Sequence, residues 1–177
     1  MRVLGIIGPS GCGKTTILKQ LVDEDLVYVN PTYTERPKRP GEEELEHKFV
    51  SEKEFDRLEK SDFFVEVIQA FGLKYRYGVP HLKGEKGKVS LIMLRAPLVP
   101  LLLKHHPEHV IYQIEAPFSL AAEWMKKRGD HEIGSRLDDF QKELMLGRKY
   151  AARTFVNNGD LAACVEEIKK ALELDFK

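Results

Sequence analysis

Eight residues near the start of the chain, Gly8-Pro9-Ser10-Gly11-Cys12-Gly13-Lys14-Thr15, have the types and spacing that grip a polyphosphate. Gly8, Gly13, Lys14 and Thr15 satisfy the pattern G-x-x-x-x-G-K-[ST]. Glycine admits positive φ, which lets main-chain N–H groups converge on phosphate oxygens. A helix opening at the lysine adds the positive end of its dipole. Lys14 is placed to reach the β- and γ-phosphates of ATP, and the Thr15 hydroxyl to ligate Mg²⁺. The expected ATP contacts are Gly8, Ser10, Gly11, Cys12, Gly13, Lys14, Thr15 and Thr16, with Thr15 the metal ligand.

A second group follows in Thr32-Tyr33-Thr34-Glu35-Arg36-Pro37-Lys38-Arg39-Pro40-Gly41-Glu42. Two guanidinium groups at Arg36 and Arg39 can fork onto a phosphate, or they can form a solvated basic turn. No Asp or Glu ends the apolar run Val89 to Leu94, so Mg²⁺ is expected to rest on Thr15, phosphates and water. No side chain stands out as an essential general base. A phosphate acceptor is already ionised near neutral pH and needs none, which favours it over a hydroxyl acceptor. The histidines, His105 and His106 included, show no ligand spacing and are expected at the surface.

These groups need elements to position them. Val3 to Ile7 is a short continuous apolar run, as in a strand buried on both faces, and a helix is expected from about Lys14 to Leu21. Leu26 to Val29 predicts a second strand, and Asn30 to Lys48 a long irregular segment. Ser51-x-x-Glu54 is a capping box opening a helix with Phe55 and Leu58 on its apolar face. Phe63 to Ile68, Val89 to Leu94, Val110 to Ile114 and Thr154 to Val156 predict strands. Helices are expected over Ala96 to Lys104, Ser119 to Lys127 and Ser135 to Ala152. A last one is capped by Asp160, with Leu161, Val165, Ile168 and Leu172 on one face. Strands alternating with helices imply an α/β fold with a central parallel sheet covered on both sides.

Bulk properties agree with one domain. The chain has 177 residues, 42% hydrophobic and 32% charged, with 28 basic and 28 acidic side chains. That balance offers no overall field to draw in nucleic acid. Two cysteines, Cys12 and Cys164, build neither a four-ligand zinc site nor a disulfide framework. There is no signal peptide and no membrane-spanning run, so a cytoplasmic location and no membrane partner are expected.

Taken in order, the motifs resemble those of the guanylate kinase family. Thr34-Glu35-Arg36, Arg39, Gly41-Glu42, Phe49-Val50-Ser51, Glu66 and Tyr77-Gly78 are similar to that family's acceptor loop, helix start, base-reading strand and Tyr-Gly pair. The closing Val156-Asn157-Asn158-Gly159-Asp160-Leu161 resembles its V-N-D-D-L, so nearly the whole chain is covered. The resemblance implies a P-loop kinase three-layer fold with an acceptor-binding lobe and a short lid. Residues 1–30 and 88–177 would form the core, about 31–80 the lobe and about 128–136 the lid. Arg36, Arg39 and Tyr77 would bind the acceptor phosphate, with His47 where the family has a tyrosine. Thr32 and Glu66 would read guanine, and Asn157 would border ATP. Lys14, Arg128 and Arg136 would stabilise the moving phosphoryl group, with Trp124 standing where a further arginine is common.

The implied reaction takes ATP and a nucleoside monophosphate, GMP foremost, in a monomer or homodimer. Arg95 departs from the pattern, because it stands where a second carboxylate reads guanine, and Val79 replaces a hydroxyl residue. Arg95 would pair with Glu66, point to solvent, or bind a second anion at the far end of the acceptor. The last resembles ribose 1,5-bisphosphate phosphokinases, which have an Arg-Ala pair like Arg95-Ala96. A non-catalytic guanylate-kinase-like binding module is the remaining alternative, disfavoured by the intact Lys14-Thr15.

Overall fold

A computed structural model describes residues 1–39, 41–69, 75–129 and 137–176. Strand β1 (Val3–Ile7) lies at the centre of a five-stranded sheet of order β2-β7-β1-β8-β9. The other strands are β2 (Val27–Asn30), β7 (Val89–Met93), β8 (Val110–Glu115) and β9 (Arg153–Val156); β1 pairs with β7 and β8, and every pairing in the sheet is parallel. The uninterrupted apolar run of β1 follows from cover on both faces. Leu4 and Ile6 pack against Ile17, Leu18 and Leu21 of α1 (Lys14–Asp23) and Val165, Ile168 and Leu172 of α6 (Leu161–Phe176). Val3 and Ile7 face the other way, onto Val99 and Leu102 of α3 (Val99–His105) and Leu146 and Tyr150 of α5 (Leu137–Tyr150). Helix α4 (Phe118–Lys127) follows β8 and ends beside the cleft described below.

The polar stretch expected to be irregular carries two strands. β3 (Thr32–Thr34) and β4 (His47–Phe49) join β5 (Phe64–Ile68) and β6 (Tyr77–Pro80) in a four-stranded sheet of order β4-β3-β6-β5. Thr32 and Thr34 are buried although polar, because their hydroxyls are satisfied. The Thr34 hydroxyl donates to the Arg76 carbonyl at 2.9 Å, and the Thr32 hydroxyl lies 2.6 Å from His47 Nδ1. Helix α2 (Glu52–Lys60) closes this lobe by packing Phe55 and Leu58 on Phe64. Only half of its capping box forms. Ser51 Oγ accepts from the Glu54 N–H at 3.2 Å, while the Glu54 carboxylate turns to Arg57. Arg76 ties the lobe together, with Nη2 2.6 Å from Glu35 and 2.8 Å from Asp56 and its guanidinium 4.6 Å above the Phe55 ring.

The helix expected over Ala96 to Lys104 begins instead with a 3₁₀ turn, Ala96–Leu98. Pro97 and Pro100 lack N–H groups, and both sit where the first turn has none to give. Asp160 caps α6 as expected, its Oδ1 accepting from the Ala163 N–H at 3.0 Å. Among the described residues no helix is long and apolar enough to cross a membrane.

Asp175, near the end of α6, accepts two bonds from Arg153 at 2.7 Å and one from the Tyr112 hydroxyl at 2.7 Å. Arg153 foremost, against a burial effect of opposite sign, lowers its pKa from 3.8 to about 2. The carboxylate therefore contributes its full stability above 3.8 and loses it as pH falls through about 2. Asp175→Asn should flatten the acid limb of a stability–pH curve over that window. An unchanged limb in far-UV circular dichroism would show the clamp to be idle.

Candidate active site

The first strand delivers the phosphate loop to one end of a cleft of about 720 Å³. Gly8, Ser10, Gly11, Gly13, Lys14 and Thr15 line it, with Thr16 beside them. Three glycines are sterically required, Gly11 among them, with φ 83° and a Cβ that would come within 2.6 Å of the Ala121 carbonyl oxygen. Gly8 has φ 145° and a Cβ there would collide with the Ile114 carbonyl oxygen. Gly13 has φ 87°, and a Cβ would come within 2.5 Å of Asn157 Nδ2. Asn157 is buried and donates to the Cys12 carbonyl at 3.2 Å, so it braces the loop as well as bordering the cleft. Cys12, expected to touch ATP, is instead buried in the core and does not line the cleft; burial pushes its thiol up to about 11.

Lys14 bends back over the loop, its Nζ donating to the Gly8 and Pro9 carbonyls at 2.7 and 2.8 Å. Thr15 donates its hydroxyl proton to Glu46 Oε1 at 2.6 Å. This pairing was not visible in the motif. A hydroxyl and a carboxylate side by side are hard oxygen donors, the set that suits Mg²⁺. Glu46 thus brings from the lobe an acid that the end of β7, with Met93 and Leu94, lacks. Its only sequence signal was an acid in a polar loop, one residue before the expected acceptor contact His47.

The lobe supplies the opposite wall with Thr32, Arg36, Arg39, His47 and Tyr77. Arg36 is held by a fork to Glu42, at 2.6 Å from Nη2 to Oε1 and 3.1 Å from Nη1 to Oε2. It also lies 5.0 Å over the Phe49 ring, so it is no loose basic turn. Burial works against the Glu42 carboxylate, yet Arg36 and the Arg39 N–H hold its pKa below the usual range. For His47 burial dominates and lowers the pKa, opposed by Glu46. The ring is therefore neutral near pH 7 and adds no charge to the cleft wall.

The base end differs from expectation. Arg95 forks onto Glu143 of α5, at 3.2 Å from Nε and 2.9 Å from Nη2, an outcome outside the readings open from sequence. The cause is topological, because α5 lays a buried carboxylate against the turn after β7. Glu66 lines a small adjoining hollow with Val79, Leu101 and His106. Ile68, Leu94 and Leu98 are shared between that hollow and the main cleft. Arg128 ends α4 and lines the cleft with Lys127 and Trp124. Arg136, and the lid from residue 130 to 136, lie outside the described residues. The expectation of surface histidines fails at His109, which is 7% exposed.

With this geometry in hand, likeness to known proteins is specific. A family model described as guanylate kinase matches residues 1–174. A guanylate kinase of Porphyromonas gingivalis is 30% identical over 186 residues, covering 97% of this chain and 96% of the relative. One of Thermotoga maritima is 30% identical over 181 residues, covering 96% and 81%. The crystal structure of guanylate kinase from Anaplasma phagocytophilum matches with TM-score 0.74 at 23% identity, over 99% of this chain and 87% of that one. Shikimate kinase from Acinetobacter baumannii in complex with shikimate matches with TM-score 0.54 at 14% identity, over 99% and 95%. The two structures establish the architecture, a P-loop kinase fold around the parallel sheet.

Proposed function

The chain belongs to the guanylate kinase family, and on that footing we propose that it moves the terminal phosphoryl group of ATP onto GMP, giving ADP and GDP. The observation that carries this reading is one continuous cleft with a phosphate loop at one end and Arg36, Arg39, His47 and Tyr77 at the other. Phosphoryl transfer asks a protein chiefly for positioning and positive charge. Both are at hand along this cleft.

Main-chain N–H groups of the loop and the start of α1 would receive the phosphate tail. Lys14 would exchange the Gly8 and Pro9 carbonyls for phosphate oxygens. Arg36, fixed by Glu42, and Arg39 would orient the acceptor phosphate, whose ionised oxygen attacks without a base. Lys127 and Arg128, with Arg136 from the lid, would complete the positive surround of the transferring group. Thr32 would border the guanine. Glu66, in the hollow that adjoins the cleft at Ile68, Leu94 and Leu98, would reach the base as the lobe closes over buried substrates. Arg95 lines the same cleft, held by its fork to Glu143 of α5.

Thr15 and Glu46 would hold Mg²⁺, which when bound neutralises charge on the phosphates. By accepting the Thr15 proton, Glu46 leaves the hydroxyl lone pairs free for the ion. Glu46→Gln should cut the gain in ATP-analogue affinity conferred by magnesium by about tenfold, the worth of one charge-assisted hydrogen bond. Affinity measured in chelator should stay the same. A magnesium gain as large as in the unaltered protein would remove Glu46 from the metal site.

The reaction itself is tested by ATP consumption with GMP, dGMP, AMP, CMP, UMP and ribose 1,5-bisphosphate in turn. Turnover should be greatest with a guanine nucleotide. Turnover with the sugar bisphosphate alone would overturn the reading.

A further inference from the structure

We propose that His106, Glu108 and His109 form a binding site for a divalent transition ion of the zinc class, apart from the phosphate-transfer cleft. The three residues occupy the turn that joins α3 to β8. The His106 N–H donates to the Leu102 carbonyl at 2.9 Å, and the His109 N–H to the His106 carbonyl at 3.1 Å. This tight turn brings both imidazoles to one side, with centroids 4.7 Å apart and planes inclined by 6°; because an ion lies in the plane of each ring that ligates it, the less buried His106 ring would turn on binding.

Glu108 faces them both. Its Oε1 lies 3.6 Å from His106 Nδ1 and 3.7 Å from His109 Nδ1. A donor atom from each of the three residues lies within 4.8 Å of the others. Donors around a tetrahedral zinc ion, with bonds of about 2.0–2.2 Å, stand about 3.4 Å apart. The two separations from Glu108 are too long for good hydrogen bonds and only slightly wider than this coordination edge, while the edge between the imidazoles must close from within 4.8 Å.

A second observation points the same way. The His109 side chain is 1% exposed, and neither of its ring nitrogens has a hydrogen-bond partner. Buried polar atoms are nearly always satisfied, so an imidazole left this way is aimed at something. Two imidazoles and a carboxylate suit zinc, whereas magnesium prefers oxygen alone. Three protein ligands leave a fourth position for water. An ion here would fasten the end of α3 to the start of β8, on the hollow that His106 shares with Glu66.

The test is calorimetric titration of zinc chloride into protein saturated with Mg-ADP, which keeps the phosphate loop occupied. The unaltered chain should take up one equivalent with micromolar or tighter affinity, and its melting temperature should rise. His106→Gln and Glu108→Gln should each weaken zinc binding by at least about tenfold, since outer-shell changes alone cost that much. Both variants act at the less buried ligands, so circular dichroism should show an intact fold, and GMP phosphorylation by Glu108→Gln measured without zinc should be unchanged. Equal zinc affinity in the double variant and the unaltered protein, or no saturable uptake by the latter, would overturn the proposal.

Discussion

Lys14→Met should lower kcat for GMP phosphorylation by about a thousandfold while weakening the binding of an ATP analogue far less. Lys14 is the cation built into the phosphate loop, and its ammonium already sits over the loop on the Gly8 and Pro9 carbonyls. Negative charge spreads over the equatorial oxygens of the moving group in the transition state. A donor preorganised for that charge is worth about 10²–10³ in rate, or about 3–4 kcal/mol. The amides of the loop and the dipole of α1 remain in the variant, so ground-state affinity is largely kept. Lys14→Arg should not restore the rate, because a planar fork does not occupy the place of a compact point charge. A kcat within tenfold of the unaltered enzyme would show that Lys14 does not meet the transferring group.

Arg36→Met should reduce kcat/KM for GMP by about 10²-fold or more, the worth of two charge-assisted hydrogen bonds, with ATP-analogue affinity unchanged. The Glu42 fork and the Phe49 ring hold Arg36 in one pose, so little ordering entropy is spent on contact with a phosphate. Removing it strands Glu42, whose side chain is 18% exposed, and should also cost about 1–3 kcal/mol of stability. The double variant Arg36→Met/Glu42→Gln should recover part of that stability and none of the kcat/KM. Arg36→Lys should recover little activity, since it keeps charge and loses the fork. If Arg36→Met changed KM for ATP and left that for GMP alone, the acceptor phosphate would have to lie elsewhere.

The phosphate loop was legible because its chemistry is local: glycines, lysine and threonine act within eight consecutive residues. The parallel sheet was legible too, since strands buried on both faces are written as unbroken apolar runs. Of the lobe strands β5 was legible, while β3 was hidden because Thr32 and Thr34 bury hydroxyls, and only tertiary partners make that acceptable. Glu46 on Thr15, and Glu143 on Arg95, join residues 31 and 48 positions apart. No local pattern marks either pairing. His109 was taken for a surface residue because polarity was the sole cue, and the turn that buries it depends on how β8 enters the sheet.

Glu46 and His47 are consecutive residues with opposite allegiances, one bonded to the nucleotide loop and the other to the acceptor wall at Thr32. A displacement of the peptide between them is shared by both ends of the cleft. Thermodynamic reciprocity then requires that whatever factor one substrate imposes on the affinity of its partner is imposed in return, by the same amount. The two substrates would thus sense each other through a single backbone link, before any phosphorus–oxygen bond is broken.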